Sequence, residues 1–537
     1  MHIMNNNIKI GLTTVVVILT VLLNGCETTE LDVLDDPNNV NPEEANPDFL
    51  INQIQLDFNS FIGQVNGIAM DYSRMTHLFG EYFFDPAGLN TAWRLAYADV
   101  FEDTILLESV AEEREFYTHA GAGQVMRAYT LVTLVDLFGK VPFSEANDVS
   151  ILNPKVDEGE DVYAGAMVTL DEAISNLSIE NAPPIQEDLY FGDNSRQNWL
   201  KLANSLKLKM LVQTRLVNEE ASRDGINDLL NEPDLLIENE NEDFAFQYLT
   251  VSTPNDSRHP SFVANYNNGS TSFMSNNYMN ILKSSDDPRL RYYFYRQRTL
   301  DPPNNDLPCI DLELELCYIG DGYYGRDHGD GSFTTNGMFN RNTTWGAYPV
   351  GGRFDDNSAD RTNPEDGGQG EGIRPLLLSS FVEFMKAEAA LTLGTVGNAR
   401  EYLENGIRKS IDKVIPFGDL NENSDTDFTP SQDEIDNFVN TILNEYDDPA
   451  NSEIEKLDII ITQYHIALWG NGIEAYNNYR RTGLPSAIQG TQVILSTGAF
   501  PRVLQYPART VTLNNNISQQ NITNQVFWDN NDENFID

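Results

Sequence analysis

The groups in this chain that could carry covalent or metal chemistry are six histidines, three cysteines and 82 carboxylates. His2, His77, His119, His259, His328 and His465 are scattered. No two share the His-x-x-x-His spacing that places two imidazoles on one helix face for a metal. No Gly-x-Ser-x-Gly elbow offers a nucleophilic serine, and no Gly-x-x-x-x-Gly-Lys-Ser/Thr loop offers a phosphate cradle. Glycoside hydrolysis needs only two carboxylates at a set separation, so the abundance of acids leaves that chemistry open. Asp321, Asp327 and Asp330 could supply oxygens to calcium, which takes six to eight. Their spacing departs from the twelve-residue loop closed by glutamate, and an acidic turn is the plainer expectation, with no cofactor.

Cys26 has a different use. It follows Leu22-Leu23-Asn24-Gly25 at the end of a 14-residue apolar run, Ile10–Leu23. That run is too short for a bilayer core of roughly 30 Å, which takes about 20 residues. A small residue before cysteine after such a run is the pattern of a lipoprotein signal, residues 1–25, cleaved so that Cys26 carries lipid. The alternative is an uncleaved N-terminal anchor. Two or more acyl chains give stable anchoring, at about 0.8 kcal/mol for each buried CH₂. Cys309 and Cys317 stand eight apart. In an oxidising compartment they are expected to form a disulfide that clips a local loop, contributing about 2–3 kcal/mol. Two buried free thiols are the alternative.

Binding without chemistry has its own requirements. A sugar ring offers an apolar CH face that suits an aromatic side chain, and hydroxyls that suit short polar groups. Loop aromatics are therefore the candidates: Trp345 and Tyr348 in Asn342–Pro349, Tyr323 and Tyr324 between glycines, and Phe83 and Phe84 before Asp85-Pro86. Asn342, Arg353, Asp355 and Asp85 are candidate hydroxyl partners. An exposed Trp345 could be replaced by alanine with loss of binding and no loss of stability. Local loop cores are the competing use for all these rings.

The formal net charge is −48. Lys9 is the only charged group before Cys26, so the chain from Cys26 carries 33 basic against 82 acidic groups, near −49. Such a balance excludes a nucleic-acid partner, which requires Lys and Arg against phosphate. It favours a neutral ligand over a polyanion, to the extent that bulk charge matches the site.

The elements that must position these groups are mostly helices. Residues 26–48 are acidic and rich in Asn and Pro, a tether and arm. Residues 49–230 show helical periodicity over the start at Phe49, then 92–110, 120–138, 163–177 and 195–216. Gly139 and Pro142 close the third of these. Residues 231–375 are rich in Asn, Asp, Gly, Pro and Tyr, and predict loops and short strands of the kind that carry function. Residues 376–537 return to helices at 376–393, 398–411, 432–446 and 454–469, followed by a tail. Trp93, Trp199 and Trp469 lie at core spacing. Arg480 and Arg481 near a helix C-terminus are expected to pair with acids and carbonyls.

Several segments in this order resemble the SusD/RagB family of surface lipoproteins of the Bacteroides group. They include Val135–Phe143, Trp199–Lys209, Asp287–Leu290, Glu383 with Ala387-Glu388-Ala389, Gln463–Trp469 running into Glu474–Pro485, then Pro501-Arg502 and Tyr506-Pro507. The resemblance implies a mainly α fold, a scaffold of tetratricopeptide-like helix pairs with a loop-rich, short-strand region packed on it. It implies no enzymatic activity. It also implies a place on the outer face of the outer membrane, and delivery of captured oligo- or polysaccharide to a TonB-dependent transporter of the SusC type. One branch of the family handles peptides instead. Peptide binding, and less readily glycoside hydrolysis, are the alternatives.

Overall fold

The structure, a computed structural model, describes residues 45–192, 195–267, 272–298, 318–331, 342–421, 424–491 and 500–532. Cys26, Cys309, Cys317 and the signal segment lie outside the described residues. From Asn46 onward the chain forms one compact unit.

Helix α1 (Pro47–Tyr72) begins where sequence chemistry starts one. The Asn46 side chain accepts from the Asp48 amide at 2.9 Å, and Pro47 occupies the first turn, where its missing N–H is no loss. Ile51, Ile54, Phe58, Phe61, Ile62, Val65 and Ala69 form its buried stripe, at the i, i+3, i+4 spacing of one helix face. Next come α2 (Asn90–Arg94), a π-helical stretch Leu95–Val100, and α3 (Phe101–Arg114). The continuous helix expected over 92–110 is thus interrupted. Then follow α4 (Tyr117–Phe138), α5 (Gly159–Leu177), α6 (Ser195–Gln213) and α7 (Glu219–Asn231). Helix α4 is buried along almost its whole length, and α3, α5 and α6 pack around it. Gly139, at φ 76°, ends it as its position in the sequence predicts.

The middle of the chain supplies β1 (Phe244–Gln247), α8 (Pro260–Tyr266), α9 (Asn276–Ser284), α10 (Leu290–Tyr293), β2 (Phe294–Tyr295), β3 (Thr344–Trp345) and β4 (Ile373–Leu377). Strands β1 and β4 pair antiparallel, Ala245 opposite Pro375, with a register shift beside Phe244. Strands β2 and β3 pair antiparallel, Phe294 opposite Trp345. A helix was expected from residue 376. Instead α11 starts at Ser379 (Ser379–Thr392), because Ile373 to Leu377 is buried along its whole length as a strand against β1. A short apolar run of this kind reads the same as a buried helix segment in sequence.

Helix α11 pairs with α12 (Ala399–Val414) and also packs on α14 (Glu453–Ala467). Helix α13 (Gln432–Tyr446) and α14 each start on a capping box, Ser431 with Glu434 and Ser452 with Glu455, which satisfies two terminal amides reciprocally. Helix α15 (Gly472–Thr482) packs on α1, and α16 (Ala508–Leu513) follows in the tail. The α1–α15 approach is close. A Cβ on Gly472 would lie 2.2 Å from the Met70 amide nitrogen. Asn66 fastens the contact, donating to the Gly470 carbonyl at 2.9 Å and accepting from the Gly472 amide at 2.8 Å.

Buried charges tie the helices together. Lys209 in α6 stands 3.4 Å from Asp136 in α4 and 3.1 Å from Glu474 in α15. Trp528 in the tail donates to Asp136 at 3.0 Å. Trp199 donates to Asp188 at 2.6 Å and Trp469 to the Tyr348 carbonyl at 3.2 Å. Arg480 donates to the Arg502 carbonyl at 2.6 Å and lies over the Tyr476 ring. Among the described residues no helix is long and apolar enough to cross a membrane.

Candidate functional site

A cleft of about 600 Å³ opens beside the C-terminal half of α1. It exists because one face of that helix carries Gly63, Asn66 and Gly67, small or short residues at neighbouring positions. A Cβ at Gly67 would meet nothing within 4 Å. Opposite walls come from α8 and the residues before it (His259, Ser261, Asn265), from Ser272 and Phe273, from Arg326, and from Trp345 of β3. Arg374 of β4 completes the lining.

Three aromatic side chains line this cleft: Phe79, Phe273 and Trp345. Phe79 is 50% exposed. His77 sets its ring edge-on to both phenylalanines, at 6.3 Å and 6.0 Å between centroids. The Arg326 guanidinium lies 5.1 Å from the Phe273 ring centre, and its charge is matched by Asp330 at 3.0 Å. Trp345 is 5% exposed. Its indole packs on Trp469 at 4.6 Å, and its carbonyl accepts from the Tyr266 hydroxyl at 2.6 Å.

Two histidines and one carboxyl of the cleft are driven toward their neutral forms. Burial lowers the His77 imidazole to about 4, although it bonds the Asp330 carbonyl at 2.9 Å. Burial, then the neighbouring Arg374 charge, holds His259 well below the ordinary histidine range. Burial lifts the Asp71 carboxyl to about 7, against the hydroxyl of Thr76 donating to it at 2.6 Å. Desolvation is the shared cause, since it disfavours whichever form is charged.

The structure does not gather the ten residues singled out in the sequence into one site. Trp345 alone of them lines this cleft. Loop position does not mean exposure here. Tyr348 is buried between Tyr293 and Phe417. Tyr324 stacks on Tyr318 at 4.3 Å and is buried. Tyr323 is buried beneath the Arg296 guanidinium, at the edge of a separate polar depression with Lys283 and Asp321. Phe83, 71% exposed, and Phe84, half-buried, border a shallow depression with Tyr82 and Leu504. Asp85 is exposed and caps the following turn through the Ala87 amide at 2.9 Å. Asn342 is buried and donates to the Ser272 carbonyl at 2.8 Å. Asp355 is buried and grips Arg296 at 2.6 Å. Arg353 lies over the Tyr295 ring and faces Asp366 at 3.5 Å, in a further depression. Of the three aspartates weighed for calcium, Asp321 faces Lys283 at 2.8 Å and Asp330 faces Arg326. Asp327 accepts from Asn276 at 2.9 Å. Among the described residues no group of three or more His, Cys, Asp or Glu side chains stands where it could hold a metal ion.

The residues missed were Phe79, Phe273, Asp71 and Arg374. One signal was available for the cleft itself. Gly63, Asn66, Gly67 and Met70 fall at i, i+3, i+4 and i+7, a face of α1 that carries no large branched residue.

Two family models match the chain. A SusD-like model described as "Starch-binding associating with outer membrane" matches residues 37–316, just over half of the chain. A second, described as "Susd and RagB outer membrane lipoprotein", matches residues 369–533. No curated protein matches. Solved structures share the fold. A SusD homologue from Bacteroides uniformis is 18% identical, with a TM-score of 0.67, over 90% of this chain and 99% of that one. A chitin-binding protein is 20% identical, with a TM-score of 0.68, over 90% of this chain and 100% of its own. A chitin-binding SusD homologue from Flavobacterium johnsoniae is 18% identical, with a TM-score of 0.60, over 90% and 99%.

Proposed function

Because the chain belongs to the SusD/RagB family of outer-membrane lipoproteins, we propose that it captures glycan at the cell surface, in the cleft beside α1. On this reading Cys26 carries the lipid anchor, and the captured glycan passes to a TonB-dependent transporter of the SusC type. The observation that carries the reading is the cleft's lining. It has aromatic faces at Phe79, Phe273 and Trp345, the Ser261 hydroxyl, and the Asn66 and Asn265 amides, which each also hold protein partners. Rings supply contact area to the CH face of a sugar, and the amides and hydroxyl supply donors and acceptors for its hydroxyls. Two structural neighbours described as chitin-binding fit the same ligand class.

Binding is favoured over hydrolysis by the carboxylate inventory. Retaining and inverting glycosidases both need a pair of acids across the scissile bond. Among the described residues lining the cleft, Asp71 is the one carboxylate.

The test is affinity electrophoresis of the full chain in detergent, through gels holding a panel of polysaccharides, with reducing ends assayed alongside. Retardation by at least one polymer with no new reducing ends is expected. Gly67→Leu is expected to abolish retardation, because the new side chain fills open cleft space. It should leave melting unchanged or slightly higher, since glycine is worth about 0.8–1.0 kcal/mol less than alanine inside a helix. Phe79→Ala removes a half-exposed ring and should weaken binding roughly tenfold, about 1.4 kcal/mol, with melting unchanged. Unaltered mobility of the wild type in every gel, with the fold intact, overturns the reading. So does release of reducing ends.

A further inference from the structure

The cleft holds one positive charge that the protein leaves unbalanced. Arg374 is only 9% exposed. Its Nη1 donates to the carbonyl and side-chain oxygens of Asn59, and its guanidinium lies 5.7 Å from the centre of the Tyr248 ring. Among the described residues no carboxylate pairs with it, and its Nε and Nη2 make no hydrogen bond. Several other buried arginines each hold a carboxylate. Arg289 holds Asp287 at 2.6 Å, Arg296 holds Asp355 at 2.6 Å, and Arg502 holds Asp529 at 2.6 Å. Arg326, also on the cleft wall, holds Asp330. A buried charge is normally paired, because desolvation without a partner is expensive.

Arg374 lines the cleft, with its guanidinium against α1. Its Nη2 lies 2.8 Å from the position a Cβ would take on Gly63, itself a lining residue. So α1 leaves room for the guanidinium at the point where a larger residue would displace it. The surroundings offset the charge only in part. His77 and His259 are kept neutral, and burial lifts Asp71, the one acid in the lining, to about 7, so that it is only partly ionised at neutral pH. The chain's net charge of −48 suggested a neutral ligand. That bulk field is screened within about 8 Å at physiological salt, so a group inside the cleft decides locally.

We propose that Arg374 is a carboxylate-binding residue, and that the glycan taken by this cleft carries uronic acid units. The inference rests on the glycan-capture reading and names its ligand class. Arginine presents a planar fork of donors that matches a carboxylate. A uronic acid joins that carboxylate to a ring whose CH face suits the aromatic wall.

The experiment is isothermal titration of the full chain in detergent with galacturonate, glucuronate and mannuronate oligosaccharides. Each is paired with its carboxyl-reduced, neutral counterpart of equal length. At least one acid form is expected to bind tenfold or more tightly than its reduced partner. Arg374→Met should bring that pair within about twofold of one another. The wild-type comparison needs no variant, so a misfolded Arg374→Met would not hide the answer. Arg374→Lys keeps the charge without the fork and should retain only part of the preference. If every acid form binds no better than its reduced partner, the inference is overturned. Retention of neutral glycans alone overturns it while the capture reading stands. If no glycan of either kind binds, the capture reading falls with it. Tight binding confined to peptides with a free C-terminal carboxylate overturns the ligand class.

Discussion

Replacing Glu388 by glutamine is expected to lower the unfolding free energy by about 3–5 kcal/mol, the range for breaking a buried ion pair from one side. Glu388 sits fully buried in α11. Its carboxylate accepts from Arg215 Nε at 2.6 Å, from Arg481 Nη2 at 2.9 Å, and from Arg481 Nη1. Arg215 follows the end of α6 and Arg481 lies in α15. One side chain therefore joins α11, α15 and the turn after α6, which are distant in sequence. Glutamine keeps the volume and removes the charge, so the loss comes from two guanidinium groups left buried together. Chemical denaturation of both proteins at neutral pH measures it.

The same residue gives the effect a pH signature. Burial alone would raise the Glu388 carboxyl, but Arg481 and Arg215 overcome burial and hold it at about 2, below the ordinary 4.5. A depressed folded-state pKa contributes stability that is fully present above the unfolded value. It is lost as pH falls from about 4.5 toward 2. The stability gap between wild type and Glu388→Gln should therefore be constant from pH 7 to pH 5 and narrow below pH 4.5. A gap as large at pH 2.5 as at pH 7 would show that the folded carboxyl is not the ionised partner of the two arginines.

Trp345→Ala should remove glycan retention and stability together. The position in a polar, glycine-containing loop suggested an exposed ring whose loss would leave melting untouched. The structure corrects this. Trp345 is in β3, opposite Phe294 and against Trp469, with Tyr266 holding its carbonyl. Truncating a buried tryptophan to alanine costs about 3–5 kcal/mol, so a clear fall in melting temperature is expected alongside lost gel retardation. Trp345→Phe keeps part of the packing and should recover much of the stability. Phe79→Ala, expected to weaken binding with melting unchanged, separates the two roles of the aromatic wall. If Trp345→Ala melts with the wild type, the indole is not part of the core.

Much of the scaffold was readable because its signals are local. Asn46-Pro47 starts α1, Gly139 stops α4, and Ser431 with Glu434 and Ser452 with Glu455 start α13 and α14. Helical periodicity follows from geometry within one turn, and a cap needs only the next three residues. Trp199 and Trp469 were recognisable as core, and the ordered motifs carried the family. The strand at Ile373–Leu377 was misread because a fully buried strand and a buried helix turn present the same apolar run. Its partner, β1, lies more than 120 residues earlier.

The sequence by itself determined the helical class, the family, the acidity and the lipoprotein pattern at Cys26, all set by composition, short spacing or ordered motifs. Only the tertiary structure decided which aromatic rings line the cleft. Tyr348 and Tyr324 share the polar, glycine-rich setting that marks exposed loops, yet both are buried, Tyr348 by Tyr293 and Phe417 from distant segments and Tyr324 on Tyr318 of its own loop. Phe79 and Arg374 became a wall and a charge of one cleft because α1 and β4, about 300 residues apart, pack across Gly63. Exposure and an unpaired charge are properties of what packs nearby. That is settled by long-range burial of apolar surface, which no local pattern encodes.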